Sequence, residues 1–223
     1  MQNRPDAFES SLTMGRIGGL ILAGGAGRRA APYDKLLTHD ASGQPMIMRT
    51  IAQARASRLD RLVVVLGHDS ERIRRVVEAG DPSSSGIAPC VVLAEDHAEG
   101  IAASLRCGIA CAIRDDWDAA MICLGDMPLV TSILIDRLVD TYTDATTRPD
   151  AVLPLVDGRR GNPVLWNRKV FPDLLALTGD TGARSLLSRP AMRILSVETD
   201  EAGALQDFDT PERLAAFAAL HGR

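Results

Sequence analysis

The chain of 223 residues is 46% hydrophobic and 24% charged, enough for one sizeable core and too little for two comfortable domains. Its formal net charge of -4 supplies no global pull toward nucleic acid or an anionic membrane, and no apolar run reaches the length of a membrane span. Neither class of partner is expected, and any anion site must be local.

Residues 1–15 are polar, carry Asp6 and Glu9, and lack the apolar centre of a signal peptide. They read as a frayed tail ahead of one domain spanning 16–223, with the cytoplasm as the expected location. Cys90, Cys107, Cys111 and Cys123 form no C-x-x-C pair, and the four histidines have no ligand spacing. The cysteines read as small core residues, with neither a zinc site nor a disulfide framework.

The apolar run Ile17 to Ala23 ends in Gly24-Gly25, a buried strand entering a loop. Pro45 to Ser57 reads as a helix, Arg61 to Gly67 as a second buried strand, and Ser70 to Ala79 as a short helix with Ser70 as its N-cap. A third strand is expected over Cys90 to Ala94, a helix over Gly100 to Arg114, and a fourth strand over Ala119 to Leu124. Thr131 to Tyr142 reads as a capped helix and Asp150 to Val156 as a fifth strand. A turn-rich loop, Asp157 to Asn162, leads to a short strand at Pro163 to Trp166. Helical pieces near Lys169 to Leu177 and Thr181 to Leu187, a strand at Arg193 to Val197 and a helix from Pro211 to Leu220 complete the chain.

Strands alternate with helices over the first 145 residues, and the early strands are apolar throughout, as when both sheet faces are covered. The expectation is a three-layer, Rossmann-like α/β fold with a mostly parallel sheet. Ligands in such folds sit beyond the carboxyl ends of the strands, so the loops after strands one, three and four should face one site.

The loop Leu22-Ala23-Gly24-Gly25-Ala26-Gly27-Arg28-Arg29, with Lys35 six residues on, can turn tightly and present N–H groups to phosphate oxygens. Arg28, Arg29 and Lys35 add positive charge suited to a triphosphate. No G-K-[ST] follows, so it is not a Walker loop. Gly25, Gly27 and Ala30 match the dinucleotide pattern G-x-G-x-x-A, but the second strand ends too late for that reading. A purely structural turn is the third reading.

L-A-G-G-x-G-x-R followed by D-K-L-L resembles the signature of the MobA-like nucleotidyltransferases, which include enzymes that attach GMP or CMP to molybdopterin. Four more segments resemble that family in order. Glu99-Gly100 with Ser104-Leu105 matches E-G-x-x-x-S-L, whose glycine and serine lie near the nucleotide. The Asp126 of Leu124-Gly125-Asp126-Met127-Pro128 matches a magnesium-binding aspartate. Asp207-Phe208-Asp209-Thr210-Pro211-Glu212 matches the segment that completes the metal site, with Asp209 ranked above Asp207; a helix N-cap role for Asp209 is the alternative. Arg160, Asn162, Asp180 and Arg184 lie in G-N-P and G-D-x-G-A-R segments of the cytidylyltransferase branch and would meet the second substrate, although Asp180 also suits a helix cap. Ala30-Ala31 and Tyr33 depart from the family pattern.

The resemblance thus implies a nucleotidyltransferase. Leu22, Ala23, Gly24, Gly25, Gly27, Arg28, Lys35, Gly100 and Ser104 would hold the nucleoside triphosphate. Arg29, Lys35 and Asp126 would act in catalysis, and Asp126 with Asp209 would bind Mg2+. CTP is favoured over GTP, the first acceptor to name is molybdopterin, and a molybdoenzyme or its chaperone is the protein partner. A sugar or metabolite phosphate acceptor, a nicotinamide-dependent oxidoreductase and a non-catalytic nucleotide-binding partner are the rival readings.

Overall fold

The structure is a computed structural model and describes residues 15–25, 34–80 and 86–220. Among the described residues eight strands form one sheet: β1 Ile17–Ala23, β2 Arg61–Leu66, β3 Cys90–Leu93, β4 Ala119–Leu124, β5 Ala151–Val156, β6 Arg159–Arg160, β7 Val164–Asn167 and β8 Ile194–Glu198. The order is β3-β2-β1-β4-β7-β5-β6, with β8 pairing β5. The first four strands are mutually parallel. β7 is antiparallel to both β4 and β5, while β8 is parallel to β5. The sheet is mostly parallel and helix-covered, as expected.

Alternation along each strand shows why both faces are apolar. Ile21 of β1, Val64 of β2 and Met121 of β4 join one buried cluster with α1 (Met46–Ala56), α2 (Ser70–Glu78) and α4 (Ser132–Asp144). Leu20, Val65 and Ala120 join a second cluster with α3 (Ile101–Arg114) and α5 (Phe171–Leu175). A third group, Met46, Phe208, Leu214 and Phe217, packs α6 (Pro211–Ala218) against α1. Full burial of such side chains contributes roughly 1.5–3 kcal/mol each.

Three local expectations are corrected. Asp69, in the left-handed region at φ 56°, precedes α2 where Ser70 was expected as cap. Cys90 is exposed rather than in the core, because β3 is an edge strand with solvent on its open side. Cys111 and Cys123 are buried as expected, and burial pushes the Cys123 thiol up to about 12. Arg159 and Arg160, expected in a loop, form β6. Asp157 and Gly158, both at positive φ, close a two-residue hairpin between it and β5.

A buried aspartate fixes the segment that joins Lys35 to α1. The Asp40 side chain is fully buried and pairs with Arg49. Its Oδ1 also accepts from Ser42 N at 2.8 Å, Ser42 Oγ at 2.6 Å and Gln44 N at 3.0 Å. Burial opposes the charge, but these donors outweigh it and hold the carboxyl at about 2, below the usual 3.8. Because the folded value is depressed, the stabilisation is complete above the unfolded pKa and is lost as pH falls from about 4 toward 2. Asp40→Asn should therefore cost about 2 kcal/mol near neutrality. Urea midpoints of the two proteins should converge as the solution is acidified; a gap independent of pH would contradict this origin.

Candidate active site

The carboxyl ends of β1, β2 and β4 converge at one edge of the sheet. Gly125 N donates to Leu22 O at 3.0 Å and His68 N to Gly24 O at 3.2 Å, so three strand ends are tied together there. Thr50 Oγ1 of α1 donates to Gly125 O at 3.1 Å, fixing the turn that presents Asp126.

Lys35 lies on the 3-10 turn Lys35–Leu37, anchored by buried Leu36. Its Nζ donates to Asp126 Oδ2 at 2.6 Å, and both side chains are mostly buried, at 17% and 15% exposure. The residue before it, Asp34, has its carboxyl pushed up by burial and by a hydrogen bond with Asp69, against the pull of Arg72. Arg72 bridges Asp69 at 2.6 Å and Asp34 at 3.2 Å, so this network ties the start of the Lys35 turn to α2.

Asp209 is brought to the same edge. Phe208 N donates to Asp126 O at 3.1 Å, which sets the Asp207–Asp209 segment beside the end of β4. The Asp209 side chain is 8% exposed and lies 3.6 Å from Arg213. The helix-cap role goes to Thr210, whose hydroxyl accepts from Arg213 N, while Asp207 pairs with Arg213. Among the described residues, no three His, Cys, Asp or Glu gather to hold a metal by themselves. Two carboxylates nevertheless fit Mg2+ or Mn2+, hard cations that commonly take one or two protein carboxylates with substrate phosphates and water.

On the other side of Gly24 lies Ser104, 3% exposed. A Cβ at Gly24 would fall 2.2 Å from Ser104 Oγ, so the missing side chain there admits α3 as well as a ligand. The Ser104 hydroxyl has no hydrogen-bond partner among the described residues. At Gly25 a Cβ would meet nothing within 4 Å among the described residues. Ala23 is buried at the end of β1. Gly27, Arg28 and Arg29 lie outside the described residues.

Gly100 begins α3 at φ 111°. A Cβ would meet Asp180 Oδ1 and the backbone of Gly179, each at 2.5 Å. Ala102 N donates to Gly179 O at 3.1 Å. The segment holding Asp180 is thus docked on the helix start, and Asp180 faces Gly100, where no side chain caps α3.

A cavity of about 270 Å³ opens beside Asp126, with Leu124 and Met127 in its wall. Its floor is apolar, including Leu22, Leu105 and Trp166, and Arg159, Arg160, Asn162 and Arg184 stand in its walls. Arg184 donates to Arg160 O, and Arg160 Nη1 donates to Leu187 O at 3.0 Å, so the two arginines staple β6 to the 3-10 segment Ala183–Ser188. Arg159 is exposed and has no ion-pair partner among the described residues. Motif reading selected Arg160 because it adjoins G-N-P and passed over Arg159; the Asp157-Gly158 hairpin signal would have placed both. Of the expected acceptor residues, Asp180 alone is not in the cavity wall.

Comparison with known proteins agrees with this fold. A 126-residue stretch, 56% of the chain, is 32% identical to the bifunctional protein GlmU of Burkholderia thailandensis; it covers 26% of that protein. The crystal structure of Rv0371c from Mycobacterium tuberculosis superposes with a TM-score of 0.74 at 22% identity, covering 92% of this chain and 97% of that one. The same protein solved with manganese gives a TM-score of 0.68 at 22% identity, covering 92% and 98%. CMP:2-keto-3-deoxy-manno-octonic acid synthetase complexed with CTP gives 0.66 at 13% identity, covering 90% and 96%. These structures share the fold. The model of the MobA-like NTP transferase domain matches residues 19–194, most of the chain, and the chain therefore belongs to that family of nucleotidyltransferases.

Proposed function

We propose that the protein transfers a nucleoside monophosphate from a triphosphate, CTP before GTP, to a phosphorylated acceptor, molybdopterin first, using Mg2+. The observation that carries this reading is the meeting of Lys35 and Asp126 at 2.6 Å next to a cavity walled by arginines. Opposite charges suited to a triphosphate and to its metal stand together, and the cavity beside them has room and charge for a second, anionic substrate. The CTP preference rests on the cytidylyl-like segments around Gly100 and Asp180. The manganese- and CTP-bound neighbours are compatible with a divalent cation and with this choice.

In the proposed reaction an acceptor phosphate oxygen bonds to the α-phosphorus, the bond from that phosphorus to the β-phosphate oxygen breaks, and pyrophosphate leaves with the electron pair. The attacking oxygen is already anionic near neutrality, so no general base is needed. Catalysis then consists of positioning and charge neutralisation. Mg2+ held by Asp126 and Asp209 would supply Lewis-acid neutralisation of phosphate oxygens. Lys35, with Arg29, would offset charge growing on the pyrophosphate. Leu22 to Gly25, Gly27, Arg28 and the Ser104 hydroxyl would hold the nucleotide. Arg159, Arg160, Asn162 and Arg184 would hold the acceptor, with Asp180 positioning the start of α3.

The deciding experiment incubates the protein with Mg2+ and each of the four triphosphates, with molybdopterin or a sugar phosphate as acceptor, and measures bound nucleotide and released pyrophosphate. Release with CTP is expected. Nucleotide binding without release from any triphosphate would favour a non-catalytic partner of a molybdoenzyme or its chaperone; release only with a sugar phosphate would move the acceptor.

Arg159 separates the two substrates. Arg159→Gln removes one charge-assisted donor and should raise the acceptor KM about tenfold with the triphosphate KM and the melting temperature unchanged. An unchanged acceptor KM would place the acceptor anion elsewhere.

A further inference from the structure

The Lys35–Asp126 pair joins two residues with separate tasks in the proposed reaction. Lys35 comes from the turn after β1, Asp126 from the end of β4, and they are 91 residues apart. At 2.6 Å, with both side chains mostly buried, the pair is screened far less than a surface ion pair. The ammonium sits on Oδ2 of the carboxylate proposed to hold the cation. A divalent ion on that oxygen would stand next to a like charge in a poorly screened site.

We propose that, without nucleotide, Lys35 occupies the place of the metal on Asp126, and that the triphosphate draws Lys35 onto its own oxygens and so releases Asp126 to the metal. This rests on the reading of Asp126 as a metal ligand. Lys35 is then a positioning residue for the metal site as well as a phosphate ligand. The exchange keeps a cation on the Asp126 carboxylate: one ammonium leaves it for the polyphosphate, and a divalent cation, whose extra positive charge the polyphosphate offsets, takes its place. Free metal binds weakly to the nucleotide-free protein, and metal and triphosphate enter together or with the triphosphate first. By linkage, each tightens the other by the same factor.

The test is a Mn2+ titration followed by electron paramagnetic resonance, which counts free Mn2+ and needs no turnover. Nucleotide-free wild type, Lys35→Met, Lys35→Arg and Asp126→Asn proteins are compared, then repeated with the α,β-methylene analogues of CTP and GTP, with analogue alone as the blank. Lys35→Met should bind Mn2+ at least about tenfold more tightly than wild type without nucleotide, while Lys35→Arg, which keeps the charge, should stay within about threefold. The tightening of Mn2+ binding by nucleotide should be large in wild type and small in Lys35→Met. Equal Mn2+ affinity of wild type and Lys35→Met without nucleotide would overturn the exchange. Wild-type Mn2+ affinity in Asp126→Asn with an analogue bound would instead remove Asp126 from the metal site, a separate failure of the functional reading. Circular dichroism checks each variant, and Lys35→Gln replaces Lys35→Met if the latter does not fold.

Discussion

Asp126→Asn is expected to lower turnover by at least two orders of magnitude, roughly 3 kcal/mol in barrier, while leaving the fold intact. The substitution is nearly isosteric, and the backbone that holds the turn is unaffected: Gly125 N still reaches Leu22 O, and Phe208 N still reaches Asp126 O. The changes are the loss of a negative charge beneath Lys35 and of a hard anionic ligand for a divalent ion. The effect should fall mainly on kcat in single-turnover pyrophosphate release at saturating metal and triphosphate. The melting temperature should fall by several degrees, because the mostly buried Lys35 ammonium loses its counter-charge and keeps only a neutral amide oxygen as acceptor, so turnover is compared at a temperature where both proteins are folded. Near-normal turnover of Asp126→Asn with Mg2+ would sink the assignment.

The fold was legible where periodicity and turn chemistry agree. The expected limits of β1 and β4 match the observed Ile17–Ala23 and Ala119–Leu124, because each is an unbroken apolar run ended by glycine. Thr131 caps α4 by accepting from Leu134 N, in keeping with the capped helix expected over Thr131 to Tyr142. Short or marginal pieces were less legible. β6 has two residues, too few for any period to show, and only the Asp157-Gly158 turn signals it. β3 is as apolar as β2 in sequence, yet its place at the sheet edge leaves Cys90 and Leu93 exposed, and pairing order is a tertiary fact.

The candidate site divides along the same line. Gly24, Gly25, Gly100 and Asp126 stand out by type at strand ends and a helix start, Lys35 by its charge after the glycine loop, and Ser104 and Asp209 through the family-like segments that hold them. Contacts between distant segments do not stand out. Nothing near Gly24 in the sequence announces that its missing Cβ leaves room for Ser104, and nothing near Lys35 that it meets Asp126. The cavity floor is equally hidden, since Leu105 and Trp166 look like ordinary core residues until the sheet brings their strands and helix together.

The second large effect comes from the glycines, which separate into structural and ligand-facing kinds. Gly100→Ala should lower stability by about 3 kcal/mol, roughly 6–12 °C in melting temperature. Two costs add there: a φ of 111° that L side chains rarely adopt, and a Cβ placed 2.5 Å from the Gly179 backbone, which cannot rotate away as a side chain could. The Gly179–Asp180 segment must then move off the start of α3, breaking the Ala102 N to Gly179 O hydrogen bond, and both stability and activity should suffer. Gly25→Ala is the control. Among the described residues its Cβ meets nothing within 4 Å and its φ is not positive, so its melting temperature should match wild type. A substrate phosphate approaching the Gly25 backbone would nevertheless meet the new methyl, and turnover should fall with the fold unchanged. Activity loss without stability loss at Gly25, against combined loss at Gly100, would identify the loop after β1 as the surface that receives the triphosphate. A fully active Gly25→Ala protein would show that the triphosphate is held elsewhere.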